Sequence, residues 1–355
     1  MKRIILTGGG TAGHVTPHMA LIPLLREKGW EIHYVGTKDG IERKLMESYP
    51  DVIYHPISSG KLRRYLDLKN LSDPFKVIKG IGQSVRIVKK VKPNIVFSKG
   101  GFVSVPAVIG ASLCRVPVVS HESDLTPGLA NKLSMPFAKT ILTSFEQTAK
   151  SIGEKATYVG SPMRDSLFRG DREKAKALTG LSGEKPVLLM MGGSSGAQAL
   201  NVCLREALDD LLQSFEIIHL CGKGGLDEAL KGKPGYYQSE YASDELPDLF
   251  ALTDLMLSRA GSNAIFEILA LGIPHLLIPL PAAASRGDQI LNAEVFEKAG
   301  YSMVLRQEDM TAQSLSAALR KLWADRDRYV AAMTRESHRG GAQKVMDILE
   351  QKAKK

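Results

Sequence analysis

Several side chains of this sequence stand where chemistry on phosphates and sugars would need them. Gly8-Gly9-Gly10-Thr11-Ala12-Gly13-His14 follows a short apolar run and opens a helical pattern. Glycines at such a turn let backbone N–H groups approach an anion, and the helix dipole favours negative charge there. An imidazole at that point suits deprotonation of an alcohol near neutral pH, so His14 is a candidate general base. His18 lies four residues on, on the same helical face, but no third His, Cys or acidic ligand is near it in sequence, and no metal site is expected. Ser98-Lys99-Gly100-Gly101 is a further glycine loop suited to a phosphate, and His121-Glu122-Ser123-Asp124 follows another apolar run. His121 reads equally well as a structural histidine. Farther on, Ser258-Arg259-Ala260-Gly261-Ser262-Asn263 leads from a strand pattern into a helix whose first N–H groups can receive a diphosphate. Glu267 lies about a turn and a half later, and a carboxylate can accept hydrogen bonds from two ribose hydroxyls. Asp288 and Gln289, after Ser285-Arg286-Gly287, offer paired acceptors and donors for sugar hydroxyls, although a polar helix start explains them as well.

The elements that must carry these residues alternate along the chain. Apolar runs of strand length fall at 3–7, 31–35, 94–98, 116–120 and 140–143, then at 186–191, 216–220, 254–258 and 275–279. Continuous Ile/Val/Leu runs separated by helix-length segments are the pattern of parallel strands buried on both faces. The fold class is therefore α/β, doubly wound. Gly9, Gly10 and Gly13 recur as Gly192, Gly193 and Gly196 at an offset of 183 residues, each set following an apolar run. Two strand–glycine-loop–helix starts imply two Rossmann-like domains in tandem, facing a cleft at the carboxyl ends of their sheets. The expected domains are 1–161 and 162–339, with a C-terminal helix at about 340–355 packing back on the first. Neither loop has the full dinucleotide fingerprint with its acidic residue, and neither is a Walker loop.

Composition narrows the function. With 355 residues, 44% hydrophobic and 24% charged, the chain reads as soluble and globular rather than disordered, and long enough for two cores. Its three cysteines, Cys114, Cys203 and Cys221, are odd in number and far apart, which argues against a disulfide framework or zinc knuckle and for a reducing cytosol. The apolar run at 4–6 is too short for a signal peptide, and prolines break the uncharged stretch 268–285. The net charge of +9 is uneven: residues 1–160 hold 23 Lys+Arg against 12 Asp+Glu, a net of +11, and residues 161–355 hold 24 against 26, a net of −2. An anionic partner is expected for the first half. Few aromatics interleave with the basic residues and no nucleic-acid motif is present, so nucleic acid is disfavoured. Residues 61–92 hold ten basic residues against two acidic ones, mixed with Leu62, Tyr65, Phe75 and Ile78. That mixture suits an anionic lipid surface, and an amphipathic helix packed on the sheet is the alternative.

Taken together, G-G-G-T-x-G-H, S-K-G-G-F-V-S-V-P, H-E-S-D-x-T-P-G-L-A-N-K, M-G-G-S-x-G, S-R-A-G-S-N-A and S-R-G-D-Q resemble the MurG family of peptidoglycan synthesis, in the family's order from residue 3 to about residue 300. The H-E-S-D form, where many members have H-E-Q-N, resembles the Gram-positive (Firmicute) branch. The resemblance implies a GT-B fold and an inverting transfer of GlcNAc from UDP-GlcNAc to the 4-hydroxyl of undecaprenyl-diphospho-MurNAc-pentapeptide. It also implies no cofactor or protein-bound metal, and a peripheral place on the cytoplasmic face of the cell membrane. By motif, Glu267 would hold the ribose, Ser194 with Ser262 and Asn263 the diphosphate, and Gln289 with Asp288 the GlcNAc hydroxyls. Arg164 would help place the nucleotide, and Tyr241-Ala242-Ser243 lies in the region that reads uracil. Thr11, Ala12, Gly13 and Asp124 would border the transferred sugar. His14 is the expected base and Glu122 the alternative. Asp124 departs from the family's Asn, and Asp288 from its Gln-Gln form. A glycolipid glucosyltransferase or a hydrolysing UDP-GlcNAc 2-epimerase shares the fold class, but the H-E-S-D-x-T-P-G and S-K-G-G-F motifs favour the peptidoglycan enzyme.

Overall fold

Two parallel sheets, each with helices on its faces, make up the fold. The structure is a computed structural model and describes residues 1–60, 73–193, 197–334 and 339–354. One compact unit comprises Met1–Arg164 with Gly340–Lys355, and the other Asp165–Arg339. The first sheet contains β1 (Arg3–Thr7), β2 (Glu31–Gly36), β3 (Ile53–Pro56), β4 (Ile95–Ser98), β5 (Val118–Glu122), β6 (Thr140–Thr143) and β7 (Ala156–Tyr158), in the order β3-β2-β1-β4-β5-β6-β7. The second contains β8 (Val187–Met191), β9 (Glu216–Leu220), β10 (Tyr236–Ser239), β11 (Leu255–Ser258), β12 (His275–Leu277) and β13 (Ser302–Val304), in the order β10-β9-β8-β11-β12-β13.

The two orders are the same topology repeated. In each sheet the chain runs from the first strand to one edge, then crosses back to the other side of that strand. The order therefore reverses between β1 and β4, and again between β8 and β11. At such a switch the connections leave in opposite directions and open a crevice beyond the strands' carboxyl ends. The glycine repeat sits at these points, because β1 and β8 are the strands it follows. Gly10 and Gly193 occupy matching left-handed conformations, φ +86° and +87°.

The central strands owe their continuous apolar character to burial on both faces. Ile4, Ile5 and Leu6 in β1, and Val187 to Met190 in β8, are at most 1% exposed. All four strands absent from the sequence reading, β3, β7, β10 and β13, are sheet edges. Edge strands are covered less completely, so their residues need not be uniformly apolar: Ile53 and Tyr158 are exposed. A second difference is that the strand expected at 116–120 is β5, two residues later, so His121 and Glu122 belong to the strand end and pair with Leu142 and Thr143. The stretch 268–285 is a helix end, a loop, β12 and a loop, and among the described residues no helix is long and apolar enough to cross a membrane.

The C-terminal helix Gly341–Lys352 packs within the first unit. Its Val345, Met346 and Leu349 are buried in one cluster with Leu21, Leu25 and Trp30. Lys28 Nζ reaches Glu350 at 2.8 Å, and Asn94 Nδ2 donates to the Lys354 carbonyl at 2.9 Å.

Candidate active site

In the first unit the candidate side chains gather at the β1/β4 switch. The loop after β1 is clamped from beneath. Tyr34 Oη donates to Gly8 O at 2.8 Å, and the fully buried Glu42 accepts from the N–H of Gly10 at 3.2 Å and of Thr37 at 2.9 Å. The loop then enters a short 3₁₀ turn, Ala12–His14, ahead of the helix Thr16–Glu27. Thr11 is exposed, and Ala12, Gly13 and His14 are half-buried. His14 Nδ1 lies 3.2 Å from the Lys99 carbonyl. A carbonyl only accepts, so Nδ1 carries the hydrogen and the neutral ring holds its lone pair on Nε2. Gly100 and Gly101, just after β4, are both left-handed at φ +88° and +79°. A side chain at Gly101 would collide with Gly9 O and crowd the His14 ring. The two glycine loops thus pack directly on one another, which requires glycine at this position.

His18 takes no part in a metal pair with His14. It is fully buried, edge-on to Tyr34 and Phe97, with Nε2 3.1 Å from Thr7 O. Burial, then the charge of Lys99, pushes its pKa down to about 3, so the ring is neutral. Among the described residues no three His, Cys, Asp or Glu side chains are grouped to hold a metal ion.

Beyond β5 the chain turns sharply, and Glu122 is the turn's organiser. Its carboxylate accepts from the backbone N–H of Asp124 at 3.0 Å, that of Gly128 at 3.0 Å, and Asn131 Nδ2 at 2.7 Å. Burial, with the nearby charge of Asp124, raises its pKa. With three donors and 4% exposure, this carboxylate holds the loop. Asp124 itself is half-buried on that loop. His121, fully buried, puts Nε2 3.2 Å from Gly160 O and Nδ1 2.9 Å from Lys99 Nζ. Its role is therefore structural.

The second unit repeats the arrangement at the β8/β11 switch. Ser258 Oγ, at the end of β11, donates to Met191 O at the end of β8 at 3.0 Å and ties the two loops together. The helix Ser262–Leu271 begins at Gly261 without a side-chain cap. Ile265, Phe266, Ile268 and Leu269 bury its inner face, while Asn263 and Glu267, four residues apart, share the half-buried outer face. Arg259, quoted in the motif without a role, is buried just before this helix. It donates to Ile278 O at 3.1 Å, and burial lowers its pKa to about 10.

Gln289 and Asp288 begin the helix Asp288–Lys298. Gln289 Oε1 accepts from the Leu280 N–H at 3.1 Å, and its Nε2 is directed towards Gly261, 4.0 Å from where a side chain there would begin. Two segments that are remote in sequence are thereby brought to one spot. Asp288 instead accepts from the Arg286 N–H at 3.2 Å and caps its own turn. Ser243 is exposed, its N–H bonded to Glu245 at 3.1 Å ahead of the helix Leu246–Leu252. Arg164 is half-buried at the end of the first unit's main segment. Ser194 lies outside the described residues.

The residues missed in the sequence are the supports: Glu42, Asn131 and Arg259, together with the burial of Lys99. Glu42 sits in Gly40-Ile41-Glu42-Arg43-Lys44, which reads as an ordinary charged helix start. No local signal marks it as buried.

Comparison with known proteins agrees with this geometry. The chain matches the glycosyltransferase family 28 N-terminal domain over residues 4–143 and the family's C-terminal domain over residues 187–351. It is 53% identical over 350 residues to a UDP-N-acetylglucosamine--N-acetylmuramyl-(pentapeptide) pyrophosphoryl-undecaprenol N-acetylglucosamine transferase of Clostridium tetani, covering 98% of each chain. It is also 53% identical over 354 residues, 99% of each chain, to the protein of the same name in Geobacillus thermodenitrificans. Among solved structures, Acinetobacter baumannii MurG superposes with a TM-score of 0.76 at 23% identity, covering 99% of this chain and 100% of that one. A Neisseria meningitidis UDP-GlcNAc 2-epimerase bound to UDP-GlcNAc superposes at 0.71 with 12% identity, covering 99% of this chain and 100% of the other. At these identities both likenesses concern the fold alone.

Proposed function

The chain belongs to the MurG family of glycosyltransferase family 28, and from that premise we propose how its residues divide the work of the family's reaction. The enzyme transfers GlcNAc from UDP-GlcNAc to undecaprenyl-diphospho-MurNAc-pentapeptide in peptidoglycan synthesis. In our reading the second unit takes the donor. N–H groups of the helix that starts at Ser262, with Asn263 and Ser194, receive the diphosphate, and Glu267 accepts from the ribose hydroxyls. Gln289 binds GlcNAc hydroxyls with Asp288 beside it, Arg164 helps place the nucleotide, and the backbone at Ser243 meets the uracil. The first unit takes the acceptor, with Thr11, Ala12, Gly13 and Asp124 bordering the sugar in transfer.

His14 acts as the base. It removes the proton of the MurNAc 4-hydroxyl as that oxygen bonds to the anomeric carbon. The bond from that carbon to the UDP oxygen breaks on the opposite face, giving inversion and a β-1,4 link. Negative charge grows on the departing diphosphate, where fixed N–H dipoles stabilise it without having to reorient. The observation that carries this reading is the hydrogen bond from His14 Nδ1 to Lys99 O, which keeps the lone pair on Nε2. Glu122, the alternative base, already accepts from three donors. The test is UDP release from UDP-GlcNAc with and without lipid-linked MurNAc-pentapeptide. Release is expected to depend on that acceptor, and equal release without it would point to a hydrolase or epimerase instead.

We further infer that the first unit works on an anionic membrane surface. Of the basic segment 61–92, residues 61–72 lie outside the described region. The remainder forms the helix Asp73–Val91, on which Phe75 and Ile78 are 74% and 65% exposed beside the exposed Lys76 and Lys79. Large apolar side chains in water among lysines suit insertion at a lipid interface, with each basic residue near the surface contributing about 1 kcal/mol. Co-sedimentation with anionic vesicles is expected and should weaken with salt. Equal, salt-insensitive binding to neutral vesicles would count against this reading.

A further inference from the structure

Lys99 is 1% exposed. Its Nζ lies 2.9 Å from His121 Nδ1 and hydrogen-bonds Ser123 Oγ, so the ammonium joins the end of β4 to the turn beyond β5. Its N–H donates to Thr7 O at 2.9 Å, and its carbonyl accepts from His14. One residue thus touches all three strand ends of the first unit's site. Burying an ammonium costs much more than burying an apolar side chain of the same length, so mere filling of space does not account for a lysine here.

The neighbouring turn supplies the reason for a charge. Glu122 and Asp124 place two carboxylates within three residues, and the charge of Asp124 is felt by Glu122. We propose that Lys99 is a positioning residue for the transfer: its ammonium is the counter-charge that holds Ser123 and Asp124 in place, and its carbonyl holds His14 in the tautomer of a base. Lys99, Ser123 and Asp124 then form one electrostatic unit. The proposal deepens the functional reading and rests on His14 and Asp124 facing the reacting sugars.

Several ionisable groups face Lys99. From β5 and its turn come His121, Glu122 and Asp124, and from the segment after β1 come His14 and His18. Burial keeps both His121 and His18 neutral. Burial also lowers Lys99 to about 8, while Glu122 and Asp124 pull it back up. The ammonium is therefore half deprotonated at a pH of about 8, and as pH rises further the turn loses its counter-charge. Activity is expected to fall on that alkaline limb.

The test uses the full-length enzyme, UDP-GlcNAc and polyprenyl-diphospho-MurNAc-pentapeptide, with UDP release as the readout. Lys99→Met should lower kcat by about 10- to 10²-fold through misplacement of the turn, with a smaller change in KM for UDP-GlcNAc. Adding Ser123→Gln and Asp124→Asn to Lys99→Met removes the hydroxyl that Lys99 holds and one of the two carboxylates it answers, lowers the need for a counter-charge, and should recover most of that loss. Asp124→Asn alone should move the alkaline limb to lower pH, because Lys99 then loses a carboxylate that keeps it charged. A triple variant no more active than Lys99→Met, or an alkaline limb that Asp124→Asn leaves unmoved, overturns the proposal. Should Lys99→Met not fold, the pH profile of Asp124→Asn still decides. His14→Ala measured alongside separates the two readings: near-wild-type turnover there sinks the base assignment, while the Lys99 coupling stands or falls on the triple variant and the limb.

Discussion

Replacing His14 with alanine is expected to lower kcat by about 10²- to 10⁴-fold, the usual contribution of a positioned general base, while the fold and UDP-GlcNAc binding are retained. The ring is half-buried and its removal leaves the core intact, since the packing of the first helix rests on Leu21, Ile22 and Leu25. What is lost is a lone pair fixed in direction. In solution an imidazole exchanges its two tautomers, but here the Lys99 carbonyl accepts from Nδ1 and selects the form with Nε2 unprotonated. Asparagine at the same position keeps a donor for that carbonyl and has no basic nitrogen. His14→Asn should therefore be about as inactive as His14→Ala, which separates proton removal from loop support. Turnover of either variant within a few-fold of wild type, at saturating acceptor, would show that the base lies elsewhere.

The second large effect is expected at Glu267. Its removal should raise KM for UDP-GlcNAc by roughly 10- to 10²-fold, with a smaller change in kcat. A hydrogen bond to a charged group contributes about 1.5–3 kcal/mol, and about 1.4 kcal/mol is a factor of ten in affinity. Glu267 shares the outer face of its helix with Asn263, whereas Ile265, Phe266, Ile268 and Leu269 face inward. Truncation at 267 therefore leaves the core untouched. Glu267→Gln is the sharper probe, because an amide keeps one acceptor oxygen and turns the other end into a donor. It should fall between wild type and Glu267→Ala for UDP-GlcNAc, and a 2′-deoxyribose donor should abolish much of the difference. Initial rates against donor concentration, with direct titration of UDP, check both points. An unchanged KM in Glu267→Ala would remove the ribose from this residue's role.

Both residues were visible in the sequence because they follow local patterns. A glycine loop after an apolar run places His14, and a helix start after another places Glu267. Their supports were not visible in the same way. Glu122, the alternative base, lies on β5, which extends two residues further than expected and draws both His121 and Glu122 inward. Asn131 and the N–H groups of Asp124 and Gly128 then close on its carboxylate. Gln289 reads locally as a polar helix start, and only the fold brings its side chain to Gly261, at the start of another helix. The four edge strands were missed for a related reason. The sequence signal of a strand in a parallel sheet is burial on both faces, and an edge strand needs less of it.

The order of residues alone was enough to specify the class of the fold, the two glycine loops 183 residues apart and the uneven charge. These depend on interactions between near neighbours along the chain: backbone freedom at glycine, runs of apolar side chains and the sum of ionised groups. Which polar side chains are buried, and what they hold, emerged only once the strands were paired. Lys99 shows this most directly. In sequence it is one lysine in a basic half, and by composition it belongs to the excess that would meet an anionic surface. In the fold it is 1% exposed and bound to His121 and Ser123, more than twenty residues away. Its charge answers two carboxylates rather than a membrane, because desolvation is set by all that surrounds a group in space, and no local stretch of sequence contains that information.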